Sequence, residues 1–265
     1  MKTITLLNEK GGVGKTTLAT HIAAGMARQG KRVVLVDTDA QGHATLAFGL
    51  SKDPGLYQIM VRNARWNDVL KGASPELYSL PEDPVGALFV LPSNIETRGI
   101  PLMIEDVTLF RNRLEELSNH IDMVIIDTAP TPSMLHASVY LATDYVIYPT
   151  KCEFWSFDGL VESLSRREKI TEQKESLGMG AMQTLGIIPT MYRGNTVEHT
   201  ENLKELKQRF GSLVWEPIST RTQWTEASRL MQTVWMMEPD GGAAREMNRI
   251  LRRINEVVYG EQARQ

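Results

Sequence analysis

A glycine-rich run, Asn8-Glu9-Lys10-Gly11-Gly12-Val13-Gly14-Lys15-Thr16-Thr17, lies between an apolar segment (Ile4 to Leu7) and a helical pattern formed by Leu18, Ala19, Ile22, Ala23 and Met26. Strand, loop and helix in that order are what a phosphate-binding loop requires. The glycines let backbone N–H groups turn inward around a polyanion, and the following helix aims its positive dipole end at the same point. Lys15 can reach the β- and γ-phosphates, and the Thr16 hydroxyl can join a Mg²⁺ shell. Gly11, Gly12, Val13, Gly14, Lys15, Thr16 and Thr17 are therefore the expected nucleotide-binding residues. The loop departs from the common G-x-x-x-x-G-K-[ST] pattern, with Glu9 where the first glycine is expected and a second lysine, Lys10, at its mouth. On residue chemistry alone, Lys10 is either a solvated loop cation or a further phosphate ligand.

Two acidic segments end apolar runs: Val36-Asp37-Thr38-Asp39-Ala40-Gln41-Gly42 and Ile126-Asp127-Thr128-Ala129-Pro130. Open α/β sheets place ligands at the carboxyl ends of their strands. Asp127 follows four apolar residues, the placement by which a strand-end carboxylate reaches the Mg²⁺ shell of a bound nucleotide. Hydrolysis also needs a group that orients the attacking water and accepts its proton, and Asp39 is the candidate. The competing uses are turn formation for Asp39 and helix capping for Asp127.

These residues need strands to carry them. Strands are expected at Ile4 to Leu7, Val33 to Asp37, Leu88 to Leu91, Met123 to Asp127, Tyr145 to Tyr148, Leu185 to Ile188 and Leu213 to Trp215. Helices are expected over residues 16–29, 56–70, 105–119, 158–175, 198–209 and 242–258, with Ala73 to Gly86 a surface loop. Apolar strands alternating with helical spacing predict an α/β fold, a mostly parallel twisted sheet flanked by helices on both faces.

Composition agrees. The chain has 265 residues, 42% hydrophobic and 23% charged, which is enough for one large α/β domain over 1–265 and argues against disorder. A net charge of −3 excludes a globally basic nucleic-acid binder but not a local basic patch. A single cysteine, Cys152, cannot form an intrachain disulfide or a cysteine-rich metal site, and fits a reducing cytoplasm. No secretory signal is visible, and no apolar run approaches the ~20 residues of a membrane span.

The pattern K-G-G-x-G-K-[ST]-T resembles the deviant Walker A loop of the ParA/Soj/MinD ATPase family. That resemblance implies a P-loop NTPase using ATP and Mg²⁺, with Lys15 acting in cis and Lys10 reaching the nucleotide of a partner subunit. Asp37-x-Asp39-x-Gln41-Gly42 is similar to the family's first switch segment, which implies that Asp39 positions the water while Asp37, with Thr16 and Asp127, supports the metal. Ala40 stands where proline is usual and His43 where asparagine is frequent. Asp127-Thr128-Ala129-Pro130 resembles the second switch segment. Pro149, Glu153, Phe154, Gly159 and Leu160 echo the stretch after the next strand. Pro189-Thr190-Met191-Tyr192 resembles the segment near the adenine, which assigns Pro189 and Met191 to the base. Ile218, Arg221 and Glu226-Ala227-Ser228 echo a later family block.

Asn8-Glu9-Lys10 resembles the partition branch of the family, the small Soj type. The loop starts eight residues in, so no N-terminal helix-turn-helix domain is expected. The resemblance implies an ATP-dependent homodimer that binds DNA non-specifically and localises to the nucleoid. It also implies slow hydrolysis, stimulated by a ParB-like adaptor, that partitions or positions a plasmid, a chromosome region or another cargo. A positioner of protein cargo would share every motif. A MinD-like membrane cycle is the other reading, because the last helix pattern carries Met247, Ile250, Leu251, Ile254, Val257 and Val258 among four arginines; packing of that helix on the sheet is the simpler expectation, and membrane attachment is not expected. From residue 190 onward the chain holds 11 Lys and Arg against 10 Asp and Glu. The candidate DNA contacts there are Arg221, Arg229, Arg249, Arg252 and Arg253. His21 and His136 are read as packing or surface residues. Trp66, Trp155, Trp215, Trp224, Trp235, Met231, Met236 and Met237 are read chiefly as core, with Trp155 and Trp224 also candidates for an interface.

Overall fold

Short runs of β-branched and aliphatic residues form the centre of the molecule, whose computed structural model describes residues 1–84, 86–153 and 156–260. The strands are β1 (Lys2–Leu6), β2 (Arg32–Asp37), β3 (Lys71–Gly72), β4 (Ala87–Leu91), β5 (Met123–Asp127), β6 (Tyr145–Lys151) and β7 (Gln183–Thr190). They lie in the order β3-β4-β2-β5-β1-β6-β7. Every pairing is parallel except the two-residue β3 against β4. Burial on both faces explains why the central strands read as unbroken apolar runs: all five residues of β5 are buried.

The longer helices are α1 (Lys15–Arg28), α2 (Leu109–Glu115), α3 (Met134–Ala142), α4 (Ser156–Ser176), α5 (Val197–Phe210), α6 (Thr222–Leu230) and α7 (Gly242–Tyr259). Strand periodicity divides them between two layers. Val33, Leu35 and Ile125 pack into a core with Leu18 and Ile22 of α1 and Met247, Leu251 and Ile254 of α7. Val34, Val36, Val124 and Ile126 face the other way, against Phe110 and Leu114 of α2 and Leu135 and Val139 of α3. A third cluster wraps β6 and β7 with Leu160 of α4 and Leu206 of α5. The last helix is thus a packed element of the domain, its apolar side buried against α1. Among the described residues, no helix is long and apolar enough to cross a membrane.

Four expectations need correction. Leu213 to Trp215 is not a strand: Gly211–Leu213 forms a 3-10 turn, and a single bridge joins Val214 to Ile187. The neighbouring strand offers Pro189 there, which has no N–H to continue a ladder, and Pro217 interrupts the segment itself. The helix expected over 56–70 breaks into Leu56–Met60 and Trp66–Val69, separated by Asn63 at φ 51°. The helix expected over 105–119 shortens to α2, because the Asp106 carboxylate accepts from the N–H and hydroxyl of Thr108 and holds a turn before it. Met231 is exposed rather than in the core. Trp66, Trp215 and Trp235 are buried as expected, and Trp224 is half-buried; Phe154 and Trp155 lie outside the described residues.

Candidate active site

The glycine-rich loop joins β1 to α1 at the carboxyl end of the sheet's central strands. Gly12 and Gly14 take φ of 69° and 89°, the left-handed region that glycine enters without a steric penalty. The loop is held from outside as well as by its own turns. Thr190 donates its hydroxyl to the Val13 carbonyl at 2.9 Å, and the Asn8 amide donates to the Pro149 carbonyl at 2.8 Å. The Lys15 ammonium is buried and donates to the carbonyls of Asn8 (2.8 Å) and Lys10 (2.9 Å). Burial lowers the Lys15 pKa, and the carboxylates of Asp127 and Asp39 partly restore it.

Lys10 packs beside α4. Its aliphatic chain lies along the first turn of α4, where its Cε would stand 3.2 Å from a Cβ built on Gly159. Beside it, Glu9 pairs with Arg166 of α4 at 3.0 Å. The mouth of the loop is therefore tied to α4 by one ion pair and one apolar contact.

Asp37 and Asp127 end adjacent strands in register. Asp37 is buried but well partnered: Thr45 donates both its N–H (2.9 Å) and its hydroxyl (2.8 Å), and the Asp39 N–H donates at 3.1 Å. Burial still pushes its pKa up to about 6. Asp127 is fully buried, and neither carboxylate oxygen has a hydrogen-bond partner. Burial first, then the charge of Asp37, pushes it up to about 8, against the opposing pull of the Thr16 hydroxyl and Lys15. Orphaned carboxylate oxygens beside a threonine hydroxyl and a second carboxylate suit a hard cation with oxygen ligands. Among the described residues there is no cluster of three or more His, Cys, Asp and Glu able to cage a metal alone. Mg²⁺ does not need one, because it retains waters and takes phosphate oxygens.

Asp39 stands at the other side of this group, half-buried, with its carboxylate accepting from the Gln41 N–H at 2.9 Å. It lines a cavity of about 410 Å³ between the segments 38–41 and 129–136, with Arg98 and His136 also in the lining. A second, apolar cavity of about 190 Å³ adjoins Gly14 and Thr17 and is lined by Thr190, Met191, Ile218 and Trp224. Pro189 is buried within β7, where its carbonyl accepts from the Ile218 N–H; Thr190 and Met191 are the residues that reach the cavity.

The five arginines do not form one surface. Arg221 is engaged with Glu246 at 2.8 Å, with Glu246 only 5% exposed, so this guanidinium belongs to the fold. Arg249, Arg252 and Arg253 of α7 line a hollow of about 310 Å³ with Trp215, Glu216 and Glu256. Arg253 spends part of its charge on Glu256 at 3.1 Å. Arg229 is exposed on α6.

The family pattern for an AAA domain matches residues 1–179. The chromosome-partitioning ATPase Soj of Thermus thermophilus is 30% identical over 253 residues, covering 94% of each chain. The chain belongs to the ParA/Soj/MinD family of P-loop ATPases.

The same fold appears in solved structures of lower identity. An ATP complex of Cyanothece McdA superimposes with a TM-score of 0.76 at 20% identity, covering 100% of this chain and 99% of that one. Cobyrinic acid a,c-diamide synthase from Mycobacterium smegmatis, solved with bound ADP and magnesium, gives 0.77 at 22% identity over 98% and 97%. Within the family frame, sequence reasoning missed Thr45, which supports Asp37, and the hydroxyls of Thr38 and Thr128. Thr38 donates to the Asp127 carbonyl and Thr128 to the Leu6 carbonyl, both at 2.7 Å. Thr45 carried no signal in the sequence: only the one-turn helix His43–Leu46, which follows Gly42, folds its hydroxyl back onto the aspartate eight residues earlier.

Proposed function

We propose that this protein is a ParA-like ATPase that dimerises around Mg-ATP, binds DNA without sequence preference as a dimer, and releases it after partner-stimulated hydrolysis. The outcome is positioning of a plasmid, chromosome region or other cargo along the nucleoid. The placement of Lys10 is the observation that supports this reading best. The two lysines of the loop make different contacts, Lys15 with the carbonyls of Asn8 and Lys10 and the Lys10 side chain with the first turn of α4. An ammonium in that position is free to serve a nucleotide held by a second copy.

Within one subunit, Lys15 and the loop N–H groups bind and orient the phosphates, Thr190 and Met191 flank the base, and Asp39 orients the attacking water. Mg²⁺ bound by Thr16, Asp127 and Asp37 would neutralise phosphate charge as it develops. Arg249, Arg252 and Arg253 supply the DNA contacts, which need only placed cations.

The test is DNA binding with and without ATP at several salt concentrations, comparing wild type with Lys10→Ala and Asp39→Ala. ATP-dependent, salt-sensitive binding that Lys10→Ala loses and Asp39→Ala keeps supports the proposal. ATP-dependent sedimentation with anionic vesicles and no DNA binding would favour the membrane cycle instead.

A further inference from the structure

The segment from Thr128 to Ser133 carries two prolines, Pro130 and Pro132, and so lacks two of the N–H groups with which a loop normally secures itself. Residues 131 to 134 are exposed. Thr38 and Thr128 fasten the strand end, through the carbonyls of Asp127 and Leu6. Beyond them, the fastening comes from His136 of α3. Its Nε2 donates to the Ala129 carbonyl at 2.9 Å, and its Nδ1 lies 3.1 Å from the Ser133 hydroxyl.

One ring therefore closes the loop onto the helix that follows. A carbonyl only accepts, so Nε2 carries the hydrogen and Nδ1 is left to accept from Ser133. His136 is 9% exposed and lines the same cavity as Asp39. His21 makes a useful contrast. It sits wholly inside the protein with the opposite tautomer, Nδ1 donating to the Thr17 carbonyl (2.7 Å) and Nε2 accepting from the Val234 N–H (3.2 Å), and it borders neither the cavity nor the loop.

We propose that His136 is a positioning residue for hydrolysis, holding the Ala129 carbonyl so that the 127–133 segment and the Asp39 carboxylate face each other at the spacing a water molecule requires. The inference rests on the hydrolytic reading given above. Reacting groups must be held within about 0.5 Å of productive geometry, and a misplacement of about 1 Å costs on the order of 10²-fold in rate. His136 acts through the loop, by its bond to the Ala129 carbonyl.

The experiment measures ATP affinity and steady-state hydrolysis for wild type, His136→Leu and His136→Gln at one pH. Gln can place an N–H where Nε2 now donates; Leu cannot. The expected result is a kcat reduced by about 10- to 100-fold in His136→Leu, with ATP affinity and KM within about twofold of wild type. Recovery to within about threefold is expected in His136→Gln. A simple loss of packing would not produce that split or that rescue. Wild-type kcat in His136→Leu overturns the proposal, as does a His136→Gln variant as slow as His136→Leu. If His136→Leu does not fold, His136→Asn, whose amide is too short to reach Ala129, takes its place, and wild-type turnover there overturns the proposal equally. A wild-type protein that binds ATP without hydrolysing it overturns both this inference and its parent reading; unaltered His136 variants on an active wild type overturn this inference alone.

Discussion

Asp37 and Asp127 face each other as register partners at the carboxyl ends of β2 and β5, both without solvent contact; Asp37 accepts three close hydrogen bonds, whereas Asp127 has only the weaker pull of the Thr16 hydroxyl. The site therefore disfavours a charge at Asp127 unless a cation stands beside it. Its raised pKa means that the folded protein holds a proton which the unfolded chain releases, so this residue's contribution to stability falls as pH rises from about 4 to about 8. Asp127→Asn should remove that dependence. In EDTA the variant should be more stable than wild type, by on the order of 2–4 kcal/mol at pH 8, with the gain shrinking toward pH 4. It should also lose Mg²⁺-dependent hydrolysis. Urea titrations across that range check the first claim and phosphate release checks the second. A variant less stable than wild type at pH 8 would contradict the account.

The two lysines should separate cleanly. Lys15→Ala is expected to abolish ATP binding, because it removes the cation enclosed by the loop. Lys10→Ala should bind ATP within about threefold of wild type but remain monomeric. Asp39→Ala should bind ATP and remain dimeric without turnover. Nucleotide titration and analytical ultracentrifugation distinguish the three. Lys10→Ala dimers with normal turnover would return Lys10 to the status of a surface cation.

His21 predicts the opposite pH slope from Asp127. Burial pushes its pKa down to about 4, so the unfolded chain binds a proton that the folded one refuses. Its contribution is fully present above the unfolded value near 6.5 and is lost as pH falls toward 4. Relative to His21→Gln, wild type should lose about 3 kcal/mol between pH 7 and pH 4. Parallel stability curves for the two proteins over that range would show that the ring does not titrate as described.

Much of this was legible beforehand where one local rule acted alone. The loop from Lys10 to Thr17 combines glycine geometry with a strand before it and a helix after it, and β2 and β5 are buried on both faces, so their residues repeat one message. Legibility failed where a tertiary partner decided. Leu213 to Trp215 has strand composition, but Pro189 across from it cannot complete a ladder. Residues 56–70 have helical spacing, but Asn63 turns the chain. Thr45 is an ordinary threonine until a one-turn helix brings it against Asp37.

Arg221 belongs to the same lesson. In sequence it is an unassigned cation; in the fold it pairs with a nearly buried Glu246. Arg221→Ala should destabilise the protein by about 2 kcal/mol, less than a fully enclosed pair because the guanidinium is 33% exposed. DNA affinity measured at saturating ATP and well below the unfolding midpoint should be unchanged. By contrast, the Arg249→Ala/Arg252→Ala double variant should keep its stability and lose affinity, with a shallower salt dependence by about two phosphate contacts. Chemical denaturation and salt-titrated DNA binding together decide between the two groups.

The two carbonyls that receive the Lys15 ammonium keep an enclosed cation from being stranded, since Asn8 and Lys10 both offer it oxygen. A phosphate that approaches this nitrogen therefore competes with two oxygens of the chain already bonded to it.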